Sequence, residues 1–202
     1  MTGKRTGLAA TVRRAVRSLS ASGIPYCVIG ATALAVRGLP RMSRDLDVTV
    51  LLDDAEAAWA ALRAAGLEAT TPTGSPEDPE AMVVWTDPRT GVGVDLRVAA
   101  GDPEAAAIDE ATLAEVFGVQ GRVATIEHLL LLYLYSNQPK HLGDFASIVR
   151  SGLADVGAAE RKLALMHTEM LSAWSERLHA VRHPQPSPPR PGPRKRRRPP
   201  GT

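Results

Sequence analysis

Cysteine, aromatic residues and long apolar runs are all scarce in this chain of 202 residues. Cys27 is the only cysteine, which excludes an internal disulfide and suits a reducing cytoplasm. The longest apolar run, Leu129 to Leu134 with Tyr133 inside it, is far shorter than the roughly 20 residues that span a bilayer, so no membrane partner is expected. The first twenty residues lack a continuous apolar stretch, so no secretory signal is expected there. The five histidines show no metal-ligand spacing. With three Trp, three Tyr and two Phe, the core must be filled mainly by small aliphatic side chains, and Trp59 and Trp85 are candidates for it. Acidic and basic residues nearly balance over the whole chain, but not along it. The net charge is +2, yet Arg190, Arg194, Lys195, Arg196, Arg197 and Arg198 all fall in the last stretch, Pro184 to Thr202, which has no acid. Without those six cations the remainder carries −4, a mildly acidic body with a basic tail. The eight prolines of that tail exclude a packed core there.

The rest of the chain reads as a folded body. Leu8, Val12, Val16 and Leu19 recur at helical spacing, and Gly23 and Pro25 stop that helix. "YCVIG" reads as a buried strand ending at Gly30, and "ATALAV" as a short helix closed by Gly38 and Pro40. "DLDVTVLL" alternates as a strand, and "DDAEAAWAALRAAG" follows as a helix. Met82 to Trp85 and Val92 to Val98 form a hairpin around Asp87 to Gly91. Beyond Gly101 the pattern predicts helices: Glu104 to Val116, one capped by Thr125, His141 to Arg150, and Val156 to Val181. The expected fold is mixed α/β (α+β). A small mixed sheet with flanking helices occupies residues 1–100, a helical bundle 101–183, and a disordered basic tail 184–202.

Asp45 and Asp47 sit two apart on a strand, so both side chains share one face, about 7 Å apart at the backbone. Leu46, Val48 and Val50 take the other face. On the second strand of the hairpin, Asp95 alternates in the same way against Val94, Leu96 and Val98. If those strands are neighbours, three carboxylates converge. Such a cluster is stable mainly around a cation, and an all-oxygen ligand set favours Mg²⁺ or Mn²⁺ over Zn²⁺. The turn at Gly30, Ala31 and Thr32 leaves backbone N–H groups free at a helix start, an arrangement that suits phosphate; the Thr32 hydroxyl could add a donor or simply cap the helix.

These residues, "IGATAL" followed by "RMSRDLDV" and then Asp95 in "VDLR", resemble the nucleotidyltransferase superfamily of polymerase-beta type. More narrowly, "GATALAVRG…RMSRDLDV" is similar to the AbiEii-type nucleotidyltransferases, toxins of bacterial toxin–antitoxin pairs and their solitary relatives. The helical half, from "VATIEHLLLLYLYS" to "KHLGD", continues the likeness over roughly residues 8 to 150. Three positions depart from that pattern: Ala31 replaces a glycine, Ser43 a threonine and His141 an aspartate. The resemblance implies a metal-dependent enzyme that moves a nucleoside monophosphate from a nucleoside triphosphate, with Mg²⁺ or Mn²⁺, to a hydroxyl of RNA, protein or a small molecule. It implies Asp45, Asp47 and Asp95 as metal-binding and catalytic residues. Gly30, Ala31, Thr32, Arg41, Ser43 and Lys140 are implied on the nucleotide side, and an antitoxin protein as partner where the chain acts as a toxin. Bland roles stand beside these. Arg41 and Arg44 could be solvated, Lys140 and Asp144 could form an i,i+4 ion pair, and the basic tail could be inert or could hold RNA phosphates. A non-catalytic module of the same fold, binding nucleotide, partner protein or RNA, is the alternative from another class.

Overall fold

The computed structural model describes residues 3–184. The stretch expected to stay unpacked lies, from residue 185 on, outside the described residues. Among the described residues no helix is long and apolar enough to cross a membrane.

The first helix, α1 (Gly3–Ser22), leads into β1 (Tyr26–Ile29), the short α2 (Gly30–Val36), and β2 (Asp45–Val50). A 3-10 turn at Leu52–Asp54 then opens α3 (Ala55–Ala64), followed by β3 (Glu68–Ala69), β4 (Met82–Thr86) and β5 (Gly93–Val98). Next come α4 (Asp102–Asp109), β6 (Thr112–Val116), β7 (Val119–Val123), α5 (Ile126–Leu134), α6 (Pro139–Ser151), α7 (Val156–Met166) and α8 (Leu171–Arg182). The strands form one mixed sheet in the order β3-β4-β5-β2-β1-β7-β6. The fold class is therefore mixed α/β, with helices against the sheet and further helices after it, as the alternation of patterns predicts.

The period-2 reading of β2 and β5 holds residue by residue. Leu46, Val48, Val50, Val94 and Leu96 are buried at 0–1% exposure, and Trp59 and Trp85 join the same core. The helix α1 buries Val12, Ala15, Val16 and Leu19, and its Gly7 lies against Thr90 and Val92 on the apolar side of β5. On the other side, α2 and α4 pack over β1 and β2, and α5 packs on both helices. The helix α5 is apolar almost all round, as a helix covered on every side must be, and Thr125 caps it by accepting from the His128 N–H. The last helices close on α5 through Phe145 and Trp174, whose rings meet edge-on at 5.7 Å between centroids.

Two expectations are corrected. The helix expected over Val156 to Val181 is broken at His167, where a 3-10 turn at Thr168–Met170 separates α7 from α8. The helix predicted over Glu104 to Val116 ends at Asp109, and Thr112–Val116 instead pairs with Val119–Val123 as an antiparallel hairpin. The turn residues Phe117 and Gly118 both have positive φ, at 50° and 85°, as a tight two-residue hairpin loop requires. β7 then pairs in parallel with β1, so the sheet extends past residue 100 into the stretch expected to be wholly helical. The physical reason is the alternation Val119, Gly121 and Val123 inward against Gln120 and Arg122, which only a strand satisfies.

Candidate active site

β2 and β5 run parallel, and their register sets Asp47 directly beside Asp95 and Asp45 beside Gly93. β1 runs antiparallel on the other flank of β2, with Ile29 opposite Asp47. The chain leaving β1 therefore turns at Gly30 over the carboxylate of Asp47. Gly30 has φ +64°, and a Cβ there would lie 2.8 Å from Asp47 Cγ and closer still to Oδ2. The glycine is thus required twice, once by its left-handed backbone and once by the carboxylate pressed against it. The sequence by itself offers only the phosphate-binding reason.

The carboxylates act on each other. Burial first, then the charges of Asp45 and Asp95, push the Asp47 pKa up to about 6, against the pull of Arg97 and Lys140. Burial and Asp45 likewise raise Asp95, while Arg97 and Lys140 oppose them. Asp45 is tied down locally: Ser43 Oγ lies 2.8 Å from its main-chain oxygen and 2.9 Å from its Oδ1, and donates to it. Ser43 therefore orients a carboxylate of the cluster. Thr49, next on the same face, is fully buried, so the acidic face is open only at its Asp45–Asp47 end.

The other expected residues fall as follows. Ala31 and Thr32 are buried at 2% and 5% exposure, so what they offer a ligand at the Gly30 turn is backbone. Lys140, exposed at the start of α6, projects its charge onto Asp47 and Asp95. The i,i+4 pair of Lys140 with Asp144 is replaced by a longer-range one: Arg41 Nε donates to Asp144 Oδ2 at 3.0 Å, across α6 and the loop before β2. The sequence reading missed Arg97 as a member of the site. Its signal was present, since Arg97 shares the face of Asp95 two residues on.

Among the described residues no set of three or more His, Cys, Asp or Glu side chains closes into a ready-made metal cage. The donor set nevertheless fits a hard cation. Mg²⁺ characteristically takes one or two carboxylates and fills its other positions with water and substrate phosphates. Two adjacent carboxylates, both with pKa values raised by burial and then by neighbouring carboxylates, are stabilised by an added positive charge.

No family model matches the chain, and no curated protein matches it. Solved structures do. The solution structure of the antibiotic-resistance factor ANT(2'')-Ia is similar at TM-score 0.55 and 16% identity, over 87% of this chain and 97% of that one. Its crystal structure in complex with adenylyl-2''-tobramycin is similar at TM-score 0.54 and 14% identity, over 84% and 95%. The class is defined at the level of architecture: the chain has the nucleotidyltransferase fold.

Proposed function

We propose that this chain is a nucleotidyltransferase that moves a nucleoside monophosphate from a nucleoside triphosphate to a hydroxyl acceptor, releasing pyrophosphate. The observation that carries this reading is the pairing of Asp47 with Asp95 in parallel register, with Gly30 folded onto Asp47 and Asp45 at the same sheet end. Nothing in ordinary packing calls for three carboxylates at one half-buried place. In this reading Asp47 and Asp95, with Asp45, hold Mg²⁺ or Mn²⁺. Bound there, the ion supplies charge neutralisation of the phosphates and of the attacking oxygen. The backbone at Gly30, Ala31 and Thr32 receives the triphosphate. Lys140 and Arg97 supply positive charge beside it, and Ser43 keeps Asp45 in place. Asp95 takes the proton of the acceptor hydroxyl.

A small-molecule acceptor is supported by the likeness to a structure in complex with adenylyl-2''-tobramycin, and by the mildly acidic body, which suits a cationic substrate. The AbiEii-type likeness, and with it a toxin role, an RNA or protein acceptor and an antitoxin partner, rests on the sequence motifs alone. The rival reading, a nucleotide-binding module without catalysis, is favoured by one observation: the carboxylates do not close into a three-ligand cage by themselves.

Thermal unfolding with ATP, CTP, GTP or UTP, with and without Mg²⁺, tests the site. Ligand at a hundred times its dissociation constant adds about 2.7 kcal/mol, or about 5–10 °C for a chain of this size. We expect a Mg²⁺-dependent shift with one nucleotide, absent in Asp47→Asn. Transfer of the labelled α-phosphate to an acceptor then separates the enzyme from the module, and full transfer activity in Asp47→Asn would sink the assignment.

A further inference from the structure

Ala10, Arg13, Arg14 and Arg17 stand at i, i+3, i+4 and i+7 along α1, so they form one stripe of the helix. Arg89 and Thr90 reach the same place from the β4–β5 turn, and these six residues line a cavity of about 290 Å³. Four guanidinium groups therefore surround one concavity, in a body that carries −4 without its tail. Only Arg14 has a counter-ion there, the buried Asp87. Among the described residues Arg13, Arg17 and Arg89 form no ion pair. Arg17 and Arg89 are exposed, and Arg13 Nη1 lies 3.5 Å from the main-chain oxygen of Phe117. The concavity is held in shape. Asp87 accepts from the Thr11 and Thr90 hydroxyls, the Arg14 guanidinium and the Arg89 N–H, which pins the turn to the helix. Ala10 is the one small residue of the stripe and leaves room beside the arginines. A merely solvated stripe of charge needs no second element to complete it, and like charges gathered this closely repel one another.

We propose that this cavity is a second ligand site, an anion site for two linked phosphate groups, separate from the carboxylate cluster. Thr90 lies against α1 on the apolar side of β5, and none of the lining residues belongs to the acidic face, so the proposal does not depend on the nucleotidyltransferase reading. Guanidinium forks pair with phosphate oxygens in bidentate fashion and need no metal to do so. At neutral pH a phosphate group carries about −1.5, so two linked groups bring about −3, which matches the three arginines without a counter-ion. The volume lies at the small end of ligand pockets, about 300–1,000 Å³, and so favours a compact anion. Free pyrophosphate and the diphosphate of a nucleotide share this chemistry, and separate titrations tell them apart.

Calorimetric titration of the full chain tests the proposal, with pyrophosphate, ADP and a single-stranded RNA oligomer as probes. EDTA is present throughout, so the carboxylate cluster has no cation and repels anions, and the ionic strength is low. Two variants alter the cavity from its two sides: Arg13→Gln with Arg17→Gln, and Arg89→Gln. Glutamine suits a helix about as well as arginine, so the ligand-free melting temperatures should stay close to that of the wild type. A control, Arg150→Gln with Arg182→Gln, removes two exposed charges outside the cavity and, like the variants, keeps the basic tail. We expect the wild type and the control to bind pyrophosphate or ADP, and both cavity variants to bind it at least about tenfold more weakly, the loss typical of a hydrogen bond between charged groups. Tighter binding of ADP than of pyrophosphate would identify a nucleotide as the source of the diphosphate, and the reverse the free anion. Failure of both to bind the wild type, or an equal loss in the control, would overturn the proposal. RNA held through these arginines while neither diphosphate binds would overturn it as well, and would give the surface to a nucleic-acid backbone.

Discussion

Replacing Asp47 by Asn should make the protein more stable, and the size and pH dependence of the gain follow from the cluster. The carboxyl has a pKa of about 6 in the folded chain against 3.8 for an unperturbed aspartate. A gap of about two units corresponds to about 3 kcal/mol. The sign follows from which state holds the proton. The folded protein holds it more tightly, so ionising Asp47 costs nothing extra below about pH 4. The cost grows between pH 4 and 6 and is complete above pH 6. Asparagine has the same shape and no charge, so the variant escapes the penalty. Without divalent ions at pH 7.5, Asp47→Asn should melt about 6–12 °C above the wild type, at about 2–4 °C per kcal/mol. At pH 4 the two should coincide. Added Mg²⁺ should raise the wild type alone and narrow the gap. The assay is thermal unfolding by circular dichroism across pH 4–8. A variant melting at or below the wild type at pH 7.5 would refute the reasoning, because it would mean that Asp47 is held by favourable contacts rather than strained by burial and by its neighbours. A stabilising change at a cluster of buried like charges is the usual sign of residues kept for function at the expense of the fold.

Two further changes probe the frame around the site. Gly30→Ala places a Cβ against the Asp47 carboxylate in a left-handed backbone and should cost at least about 1–2 kcal/mol, with loss of the nucleotide-induced shift; urea unfolding and the shift assay read both. Asp87 is fully buried in the β4–β5 turn and receives hydrogen bonds from Thr11, Thr90, the Arg89 N–H and the Arg14 guanidinium. Burial alone would raise its pKa, but these donors outweigh it and the pKa is lowered. Asp87→Ala should therefore cost about 3 kcal/mol at neutral pH, the lower end for breaking a buried pair, since Arg14 keeps partial access to solvent. Because the folded pKa is depressed, that contribution is present above about pH 4 and is lost as pH falls further, so the wild type and the variant should converge in acid unfolding titrations.

The elements that could be read directly are those whose signal is local. The alternation of Asp45, Asp47 and Asp95 against Leu46, Val48, Val94 and Leu96 is a property of a few consecutive residues, and the structure keeps every one on its expected face. Thr125 before an apolar run, and Gly30 between a strand and a helix, are equally local. The hairpin of Thr112–Val123 is not legible in the sequence because alanines on either side of Asp109 read as helix, while the strand signal there is short and its turn, Phe117-Gly118, carries only one glycine. The Arg41–Asp144 pair had no signal at all. Its members stand 103 residues apart, and a nearer partner for Asp144, Lys140, was available on the same helix.

The chain's own order thus carries the strands, their faces, the carboxylates and the glycine turn, because backbone geometry repeats every two or 3.6 residues and side chains follow it. Which strand lies beside which is another matter. That Asp47 sits beside Asp95 rather than across the sheet depends on β5 pairing in parallel with β2. That Arg41 pairs with Asp144, and that the charge of Lys140 acts on Asp47 and Asp95, depends on where α6 packs. These are long-range choices, made by burial of the shared core and not by any stretch of residues alone. Only the folded chain turns three separated aspartates into one charged, half-buried cluster with a raised pKa.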